Sequence, residues 1–319
     1  MVSRELIARS CICCGGNNLE KSPAVLMPFV ALRVFGHEPV EITAEWGLRD
    51  LRQGMAYTLC NSLQCQECGA LFLDYRFTDE QMAALYHNYR DEVYTAQRTR
   101  FEPGFAKTRE HFDHRAAYLD EVEAWLSKRL PQAPAVLDWG GDTGINSLFR
   151  YGNRLLHIYD ISGVELVPDA AMVSLEQAYQ NHYDLVTCSQ VLEHVAFPAD
   201  LVTQMVPALK ANTLLYLEVP SEALMRAHPD SKALAPLKRH WHEHVNFFTE
   251  ASIRRMLENA GLEVMDTLAL EVDLGWIQGE VLDFWRGDNK HGYSNRSLYS
   301  PSCDCRRHSV DTLSTRGLA

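Results

Sequence analysis

In the second half of the chain, short apolar runs alternate with amphipathic segments, which predicts strands alternating with helices. Four apolar runs predict strands, at residues 135–139, 155–159, 183–188 and 213–219, and a shorter apolar piece lies at residues 170–174. Pro198 favours the first turn of a helix, and Thr249 is suited to cap a second helix that ends at Gly261. This alternation is typical of a doubly wound, mostly parallel sheet.

The segments before and after these alternating strands and helices show different sequence patterns. One long amphipathic helix is predicted over residues 105–130, because apolar side chains repeat there at steps of three and four before two prolines end it. Two further strands are predicted at residues 263–272 and 280–285. Residues 287–319 show no periodicity, so this tail is expected to be disordered.

A glycine-rich turn follows the first strand of the alternating region. Its candidate ligand-binding residues are Asp138, Gly140, Gly141, Asp142 and Gly144. Glycines accept a positive φ and carry no Cβ, so the backbone can pass close beneath a ligand. We therefore expect a nucleotide-like group on exposed amides at the head of the following helix.

A second acidic residue extends this candidate site. Asp160 ends the strand predicted at residues 155–159 and lies 22 positions (160 − 138) beyond Asp138. An acid that binds ribose hydroxyls is expected at about this distance, roughly 20 residues after the turn. The glycine spacing is not that of the dinucleotide fingerprint G-x-G-x-x-G, which disfavours a nicotinamide cofactor.

Composition and charge narrow the functional classes. The chain has 319 residues, 46% of them hydrophobic, which suffices for one substantial domain and a smaller one. A formal net charge of −12 argues against nucleic acid as the main partner. Neither a membrane span nor a signal-like apolar segment is visible, so a soluble, cytoplasmic protein without a membrane partner is expected.

Two Cys-x-x-Cys-Gly units near the N-terminus predict a metal site. Cys11 and Cys14 form one unit, and Cys65 and Cys68 form the other. Four thiolates of this kind typically hold a structural zinc ion, although the intervening segment is longer than usual. Cys13 and Cys60 are alternative ligands, and four unrelated buried thiols are the alternative to any metal site.

Polar residues follow the strand predicted at residues 183–188. Ser189, Gln190 and His194 come directly after this strand. In an open α/β sheet, ligands bind beyond the carboxyl ends of the strands, so these residues are expected to face the same crevice as the glycine turn. For His194, a structural place at the start of a helix is the alternative interpretation.

A histidine-rich segment follows the strand at residues 213–219. It contains His240, His242, Glu243 and His244. An imidazole titrates near neutrality and a neighbouring carboxylate can hold its tautomer, which suits a general base. A second metal site and a buried structural turn are the alternative interpretations.

The glycine turn resembles the first motif of the S-adenosylmethionine-dependent class I methyltransferases, roughly D-x-G-x-G-x-G. Asp138, Gly140 and Gly144 match this motif, and Asp142 stands where the middle glycine usually is. Residues 183–195, with their Val-Leu-Glu-His-Val run, are similar to the fourth motif of the same proteins. This resemblance implies that Ser189 and Gln190 border the cofactor and that His194 faces the substrate.

The segment Trp-His-Glu-His is similar to a loop of sugar methyltransferases, in which a final histidine is the proposed base. Glu243 and His244 match that loop, and Trp241 replaces its tyrosine. An N-terminal zinc unit with paired cysteines also precedes the transferase domain in that group. The C-methyltransferases among them carry a further large C-terminal domain for which this chain has no room, which favours O-methylation. Whether oxygen, carbon or nitrogen is methylated stays open.

Together these features predict three parts: a zinc-binding unit over residues 1–85, a class I methyltransferase domain over 86–286 and the tail over 287–319. The domain is expected to hold a doubly wound, mostly parallel, seven-stranded Rossmann-like sheet. The predicted reaction is methyl transfer from S-adenosylmethionine to a sugar, a sugar nucleotide or a small polar metabolite, with His244, Glu243 and His194 as catalytic residues. The alternatives are a nicotinamide-dependent oxidoreductase and a zinc-dependent binding protein with a vestigial transferase fold. The oligomeric state stays open.

Overall fold

The fold of this chain is given by a computed structural model that describes residues 6–47, 49–89, 91–106, 114–272 and 292–301. The strand predicted at residues 280–285 lies outside these ranges. The N-terminal elements are β1 Leu19–Leu26, α1 Pro28–Phe35, β2 Val40–Ile42, β3 Gly54–Ala56, β4 Leu59–Cys65, β5 Leu71–Leu73, α2 Asp79–Tyr86 and α3 Glu92–Phe101.

The alternating region begins with a helix and continues through most of the remaining chain. Its elements are α4 Leu119–Leu126, β6 Ala135–Trp139, β7 Leu155–Tyr159, β8 Ala171–Met172, α5 Leu175–Gln180, β9 Leu185–Ser189, α6 Pro198–Met205, β10 Leu214–Ser221, α7 Ala223–Ala227, β11 His240–Trp241, β12 Asn246–Phe247, α8 Glu250–Asn259, β13 Leu262–Val272 and β14 Gly292–Pro301.

The larger sheet has the strand order β13-β14-β10-β9-β6-β7-β8. The five strands from β10 to β8 pair in parallel, and β14 pairs antiparallel with β10 and β13. The central strand β6 is buried along its whole length, as the uninterrupted apolar run predicted. The prediction of a mostly parallel α/β sheet is confirmed.

The smaller main sheet has the order β11-β1-β4-β5-β12. Its two outer strands come from the histidine-rich segment: β11 runs parallel to β1, and β12 runs antiparallel to β5. Chain from the predicted zinc-binding unit and chain from the predicted transferase domain therefore share one sheet.

A buried guanidinium stabilises the place where these two parts meet. Arg76, which is 2% exposed, donates to the carbonyl of Ala196 at 3.0 Å and to Oδ1 of Asn246 at 2.8 Å. The amide of Asn246 in turn donates to the carbonyls of Leu192 and Val195, at 2.8 and 2.6 Å. These contacts tie the smaller sheet to the loop that follows β9.

Two sequence expectations differ from the structure. Among its described residues, the helix predicted over residues 105–130 is helical at 105–106 and over Leu119–Leu126, and residues 114–118 between them are not helical. The reason is that the N–H of Ala116 donates to the side chain of Asn146 at 3.0 Å instead of entering a helical ladder, and Arg115 reaches the carbonyl of Ser147.

The second difference lies in the tail that the sequence predicts to be disordered. Gly292–Pro301, within that tail, forms a strand between β10 and β13. Main-chain hydrogen bonds to two neighbouring strands do not require an apolar repeat, which is why the sequence pattern does not reveal this strand. In the described part of the chain, no helix has the length and apolar character needed to cross a membrane.

Candidate active site

The glycine turn adopts a conformation that only small residues fit. Gly140 and Gly144 have φ of 79° and 80°, in the left-handed region. A Cβ on Gly140 would lie 2.6 Å from a methyl group of Val191, and a Cβ on Gly144 would lie 2.5 Å from one of Ile158. Asp142, where a related motif has glycine, also has a positive φ of 52°, which aspartate tolerates better than most residues.

Asp138 supports the turn from below. Its buried carboxylate accepts hydrogen bonds from the hydroxyls of Thr187 at 2.7 Å and Ser147 at 2.5 Å. Burial raises the pKa of Asp138, and these two hydrogen bonds oppose that rise. A Cβ on Gly141 would lie 2.7 Å from the same carboxylate. Asp138 therefore packs beneath the turn and fixes its shape.

Asp160 lies beside the turn, at the end of β7. Its Oδ2 accepts from the N–H of Asp142 at 2.9 Å, and its Oδ1 accepts from the N–H of Ser162 at 2.7 Å. Each carboxylate oxygen keeps capacity for a further hydrogen bond, as a ribose hydroxyl would require. The neighbouring Ile161 is 86% exposed and offers an apolar surface next to this carboxylate.

Within the described residues 114–272, the helix expected directly after the glycine turn is absent. In the described stretch 114–272, residues 145–154 form successive turns, and no helix lies between β6 and β7. The segment is short, and its polar side chains bond to its own backbone: Asn153 donates to the carbonyls of Phe149 and Arg150. The expectation of a helix directly after the turn is therefore wrong.

Ser189 and Gln190 lie at the end of β9, as predicted. Gln190 has a positive φ of 57°. Its backbone N–H donates to the carbonyl of Glu218 in β10 at 3.0 Å, and its side-chain amide donates to the Glu218 carboxylate at 2.8 Å. The buried Glu218 carboxylate also accepts from the hydroxyls of Tyr118 and Tyr216. Glu218 was not among the residues predicted from the sequence. An acidic residue within an apolar strand nevertheless indicates a buried group with dedicated hydrogen-bond partners.

His194 and His244 come together from different elements. Their ring centroids are 4.6 Å apart, with the rings nearly perpendicular. Nδ1 of His244 forms a hydrogen bond of 2.7 Å with the carboxylate of Glu222, which is 2% exposed. Nδ1 of His194 forms one of 2.8 Å with the hydroxyl of Tyr86. The histidine pair thus has one acidic and one phenolic partner.

The two imidazoles differ strongly in basicity. Burial on its own lowers the pKa of His244, but the hydrogen bond to Glu222 and its charge raise that pKa to about 9. Burial and the neighbouring charge of His244 lower the pKa of His194 to about 3. Of the two, only His244 is basic enough to hold a proton at neutral pH.

Glu243 does not contact the imidazole of His244. Its carboxylate forms a bidentate ion pair with Arg98, with both N–O distances at 2.9 Å. Burial raises the pKa of Glu243, but the charge of Arg98 outweighs this effect and keeps the pKa well below its usual value. Glu243 and His244 therefore bind different partners, although they are neighbours in sequence. Glu222, which the sequence analysis missed, bonds to His244 instead.

The four predicted cysteine ligands converge beside the turn between β4 and β5 of the smaller sheet. The sulfur atoms of Cys11, Cys14, Cys65 and Cys68 all lie within 4.8 Å of one another. Two of the S–S distances are 3.5 and 3.6 Å, far longer than a disulfide and close to the roughly 3.8 Å between thiolates on a tetrahedral zinc ion. These four side chains could therefore hold one zinc ion.

The backbone of the cysteine loops also suits bound thiolates. The N–H of Cys13 points to the sulfur of Cys11, and the N–H of Gly16 points to that of Cys14, both at 3.4 Å. Such donors stabilise negative charge on sulfur. Cys13 and Cys60 are buried but do not belong to the converging group.

Comparison with known protein families identifies the larger domain. Residues 109–267 match the family model described as "Methyltransferase domain". This range contains the glycine turn, Asp160, both histidines and Glu222. Residues 109–267 are therefore similar to a methyltransferase domain, which supports the predicted class of enzyme.

Curated relatives agree with this class. A ubiquinone biosynthesis O-methyltransferase of Aeromonas salmonicida (strain A449) is 32% identical over 121 residues, which are 36% of this chain and 50% of the relative. One of Xanthomonas axonopodis pv. citri (strain 306) is 28% identical over 201 residues, covering 54% of this chain and 76% of the relative. The chain spans about half the length of the first curated relatives that it matches.

Among solved structures, this chain is similar to an S-adenosylmethionine-dependent methyltransferase from Thiobacillus denitrificans in complex with S-adenosyl-L-homocysteine. The identity is 12%, the TM-score is 0.40, and the match covers 59% of this chain and 92% of that protein.

The packing of the glycine turn predicts the effect of one substitution. Gly140→Ala should lower the free energy of unfolding by about 2–5 kcal/mol, because a positive φ costs an L-residue roughly 1–2 kcal/mol and overpacking roughly 1–3. The added Val191→Ala change removes the methyl groups that the new Cβ meets, so the double variant should lose less stability than the sum of the single changes.

Urea denaturation of the four proteins in this cycle measures the effect. Gly152→Ala is a matched control, since nothing lies within 4 Å of a Cβ there, and its stability should change by no more than about 0.5 kcal/mol. Unchanged stability of Gly140→Ala, or strict additivity in the double variant, would contradict the predicted contact.

Proposed function

We propose that this chain transfers a methyl group from S-adenosylmethionine to a small polar metabolite. The observation that carries the proposal is the common position of the candidate groups. The glycine turn, Asp160, Gln190 and Glu222 follow β6, β7, β9 and β10, so all lie beyond the carboxyl ends of neighbouring parallel strands. Ligands of open α/β sheets bind at this edge.

The place of the cofactor follows from the polar and apolar groups around the turn. Asp160 has free acceptor capacity for ribose hydroxyls, and exposed Ile161 offers an apolar surface for the adenine ring. Ser189 and Gln190 border the space on the side of β9. Asp138, Gly140, Gly141, Asp142 and Gly144 shape the turn that the cofactor would lie against.

The absence of a helix after the turn, within the described residues 114–272, favours this cofactor over a nicotinamide dinucleotide. A dinucleotide places its pyrophosphate at the N-terminus of such a helix. S-adenosylmethionine carries no phosphate and has no need of it. The oxidoreductase is therefore the weaker alternative.

The acceptor is proposed to be a hydroxyl group of a sugar, a sugar nucleotide or a related polar metabolite. The likeness of the Trp-His-Glu-His segment to sugar methyltransferases supports the sugar class. The curated relatives are named as O-methyltransferases, which supports oxygen as the methylated atom.

In the proposed reaction, an oxygen of the acceptor attacks the methyl carbon in line with the departing sulfur. The methyl–oxygen bond forms as the methyl–sulfur bond breaks, and S-adenosylhomocysteine leaves with the electron pair. His244 in its unprotonated form takes the acceptor proton on its free nitrogen, while Glu222 holds the other nitrogen. Because Glu222 raises the pKa of His244 to about 9, the fraction of the protein in this form grows as the pH rises towards that value. The role of the protein is to hold the two substrates at attack distance and to remove this proton.

Ligand-induced stabilisation tests the proposed cofactor. S-adenosylmethionine and S-adenosylhomocysteine should each raise the melting temperature, and NAD and NADP should not. A shift with a nicotinamide cofactor alone would favour the oxidoreductase instead. No shift with any of the four would favour the binding protein with a vestigial fold.

Asp160 provides a sharper test of the cofactor site. Asp160→Ala should weaken S-adenosylmethionine binding by about 1.5–3 kcal/mol, the scale of a hydrogen bond to a charged group. Isothermal calorimetry measures the affinity, and Asp230→Ala, an exposed aspartate, is the matched control. Unchanged affinity in Asp160→Ala would remove Asp160 from the site.

The role of His244 as the base predicts a loss of rate without a loss of cofactor binding. Single-turnover transfer from radiolabelled S-adenosylmethionine is measured with the best acceptor from a panel of sugars, sugar nucleotides and phenols. His244→Ala should slow transfer by about 10²–10⁴-fold, the usual contribution of a general base. S-adenosylmethionine affinity should stay nearly the same.

Two further variants control this experiment. His240→Ala changes an exposed histidine of the same segment and should leave the rate close to that of the unaltered protein. If His194→Ala loses the rate and His244→Ala does not, the base lies in the loop after β9 and the assignment is wrong.

The proposal includes one structural zinc ion held by Cys11, Cys14, Cys65 and Cys68. Protein purified without added zinc should contain close to one equivalent by metal analysis. Cys68→Ser should lose this zinc and harm folding more than it harms the chemical step, because a site closed by four thiolates is structural. Cys188→Ser, at a buried thiol in β9, should retain the zinc. Absence of metal together with four titratable thiols would contradict the assignment.

A further inference from the structure

A second cluster of metal-ligating side chains lies next to the candidate base. Glu193, His194 and His244 each offer one ligand atom, and these atoms all lie within 4.8 Å of one another. Glu193 and His194 come from the loop after β9, and His244 lies between β11 and β12. The cluster is thus built from segments far apart in sequence.

Glu193 is the unusual member of this cluster. Its side chain is fully buried, and neither carboxylate oxygen has a hydrogen-bond partner within the described part of the chain. The nearest cationic candidate, Nε2 of His194, is 3.8 Å away, beyond hydrogen-bond distance. A buried carboxylate without a partner is costly, and a bound cation would remove that cost.

The histidines are oriented as metal ligands are. Nδ1 of His244 is engaged by Glu222, and Nδ1 of His194 is engaged by Tyr86. Both rings therefore keep Nε2 for another ligand. Metal-binding histidines characteristically donate their second N–H to a carboxylate or another oxygen in this way, which fixes the ring and raises its basicity.

The local charge also favours a cation. Glu193 and Glu222 are both buried and face the two histidines, whereas the nearby Glu243 is already neutralised by Arg98. Burial raises the pKa of Glu193 to about 8, so a divalent ion would bind with release of the Glu193 proton and would then balance both carboxylates.

We propose that Glu193, His194 and His244 bind one divalent first-row transition-metal cation, separate from the site formed by the cysteines. Two imidazoles and one carboxylate suit Mn²⁺, Fe²⁺ or Zn²⁺ better than Mg²⁺ or Ca²⁺. Ligands at about 2.1 Å from a common ion lie at most about 4.2 Å apart, so closing the site requires movements of roughly half an ångström.

This inference rests on the proposed function in one respect, because the proposed acceptor lies beside His244. A cation here would lower the pKa of an acceptor hydroxyl next to it. In the cation-loaded protein His244 then serves as a ligand, and its role as a free base applies to the cation-free protein. Cation binding itself does not depend on methyl transfer and is measured without S-adenosylmethionine.

The test uses Mn²⁺ as the probe and the full chain with its zinc content measured beforehand. Mn²⁺ prefers oxygen and nitrogen ligands to thiolates, so it reports on this cluster and not on the cysteines. Electron paramagnetic resonance of free Mn²⁺ should show one bound ion per chain. Glu193→Gln should weaken this binding at least tenfold, and His194→Gln should do the same.

Glu176→Gln, the same change at an exposed helical position, is the matched control and should bind Mn²⁺ as the unaltered protein does. Melting curves confirm that each variant is folded: Mn²⁺ should raise the melting temperature of the unaltered protein but not that of Glu193→Gln. The proposal is overturned if millimolar Mn²⁺ gives no bound ion, or if folded Glu193→Gln binds Mn²⁺ as tightly as the unaltered protein. Loss of Mn²⁺ binding in Glu193→Gln with retention in Glu176→Gln supports it.

Discussion

The position of the candidate site depends on the pairing of the histidine-rich segment with the N-terminal sheet. Strands β11 and β12 flank His244 and add to the two edges of that sheet, beside β1 and β5. The indole N–H of Trp241 donates to the hydroxyl of Ser62 at 2.8 Å, and Arg76 bonds to Asn246 on the other side. With both ends held, the short stretch between them can present His244 towards the loop after β9.

This arrangement gives the cysteine unit an architectural relation to the site. The hydroxyl of Thr249, which caps α8 just after β12, donates to the carbonyl of Cys68 at 2.7 Å. The cysteine loops and the buried face of the larger sheet also belong to one continuous apolar core. A few covalent and hydrogen bonds therefore connect the cysteine loops to the segment that carries His244, so the conformation of these loops affects the position of that segment. A recognition module on a flexible linker would show neither connection.

Features set by local sequence were predictable, and features set by distant contacts were not. Strands β6 and β7 occupy the residues that their apolar runs predict, and Thr249 caps its helix as expected, because burial and capping act over a few residues. Glu243 was chosen as the partner of His244 because it is its neighbour in sequence. The actual partner, Glu222, follows a different strand, and only the folded sheet brings it there. The strand Gly292–Pro301 depends in the same way on pairing with β10 and β13.

The distribution of charge around the two histidines explains why one of them is strongly basic. Arg98 binds both Glu243 and Glu102, and Glu102 also accepts from His242, so these groups form one hydrogen-bonded network around the guanidinium. The negative charge that remains near the histidine pair belongs chiefly to Glu222, because burial raises the pKa of Glu193 to about 8. Glu222 bonds directly to His244 and raises its pKa, whereas His194 meets a neutral phenol and the positive charge of His244, and its pKa falls. Two adjacent imidazoles with opposite shifts therefore differ in protonation at neutral pH, because His244 is charged there and His194 is neutral.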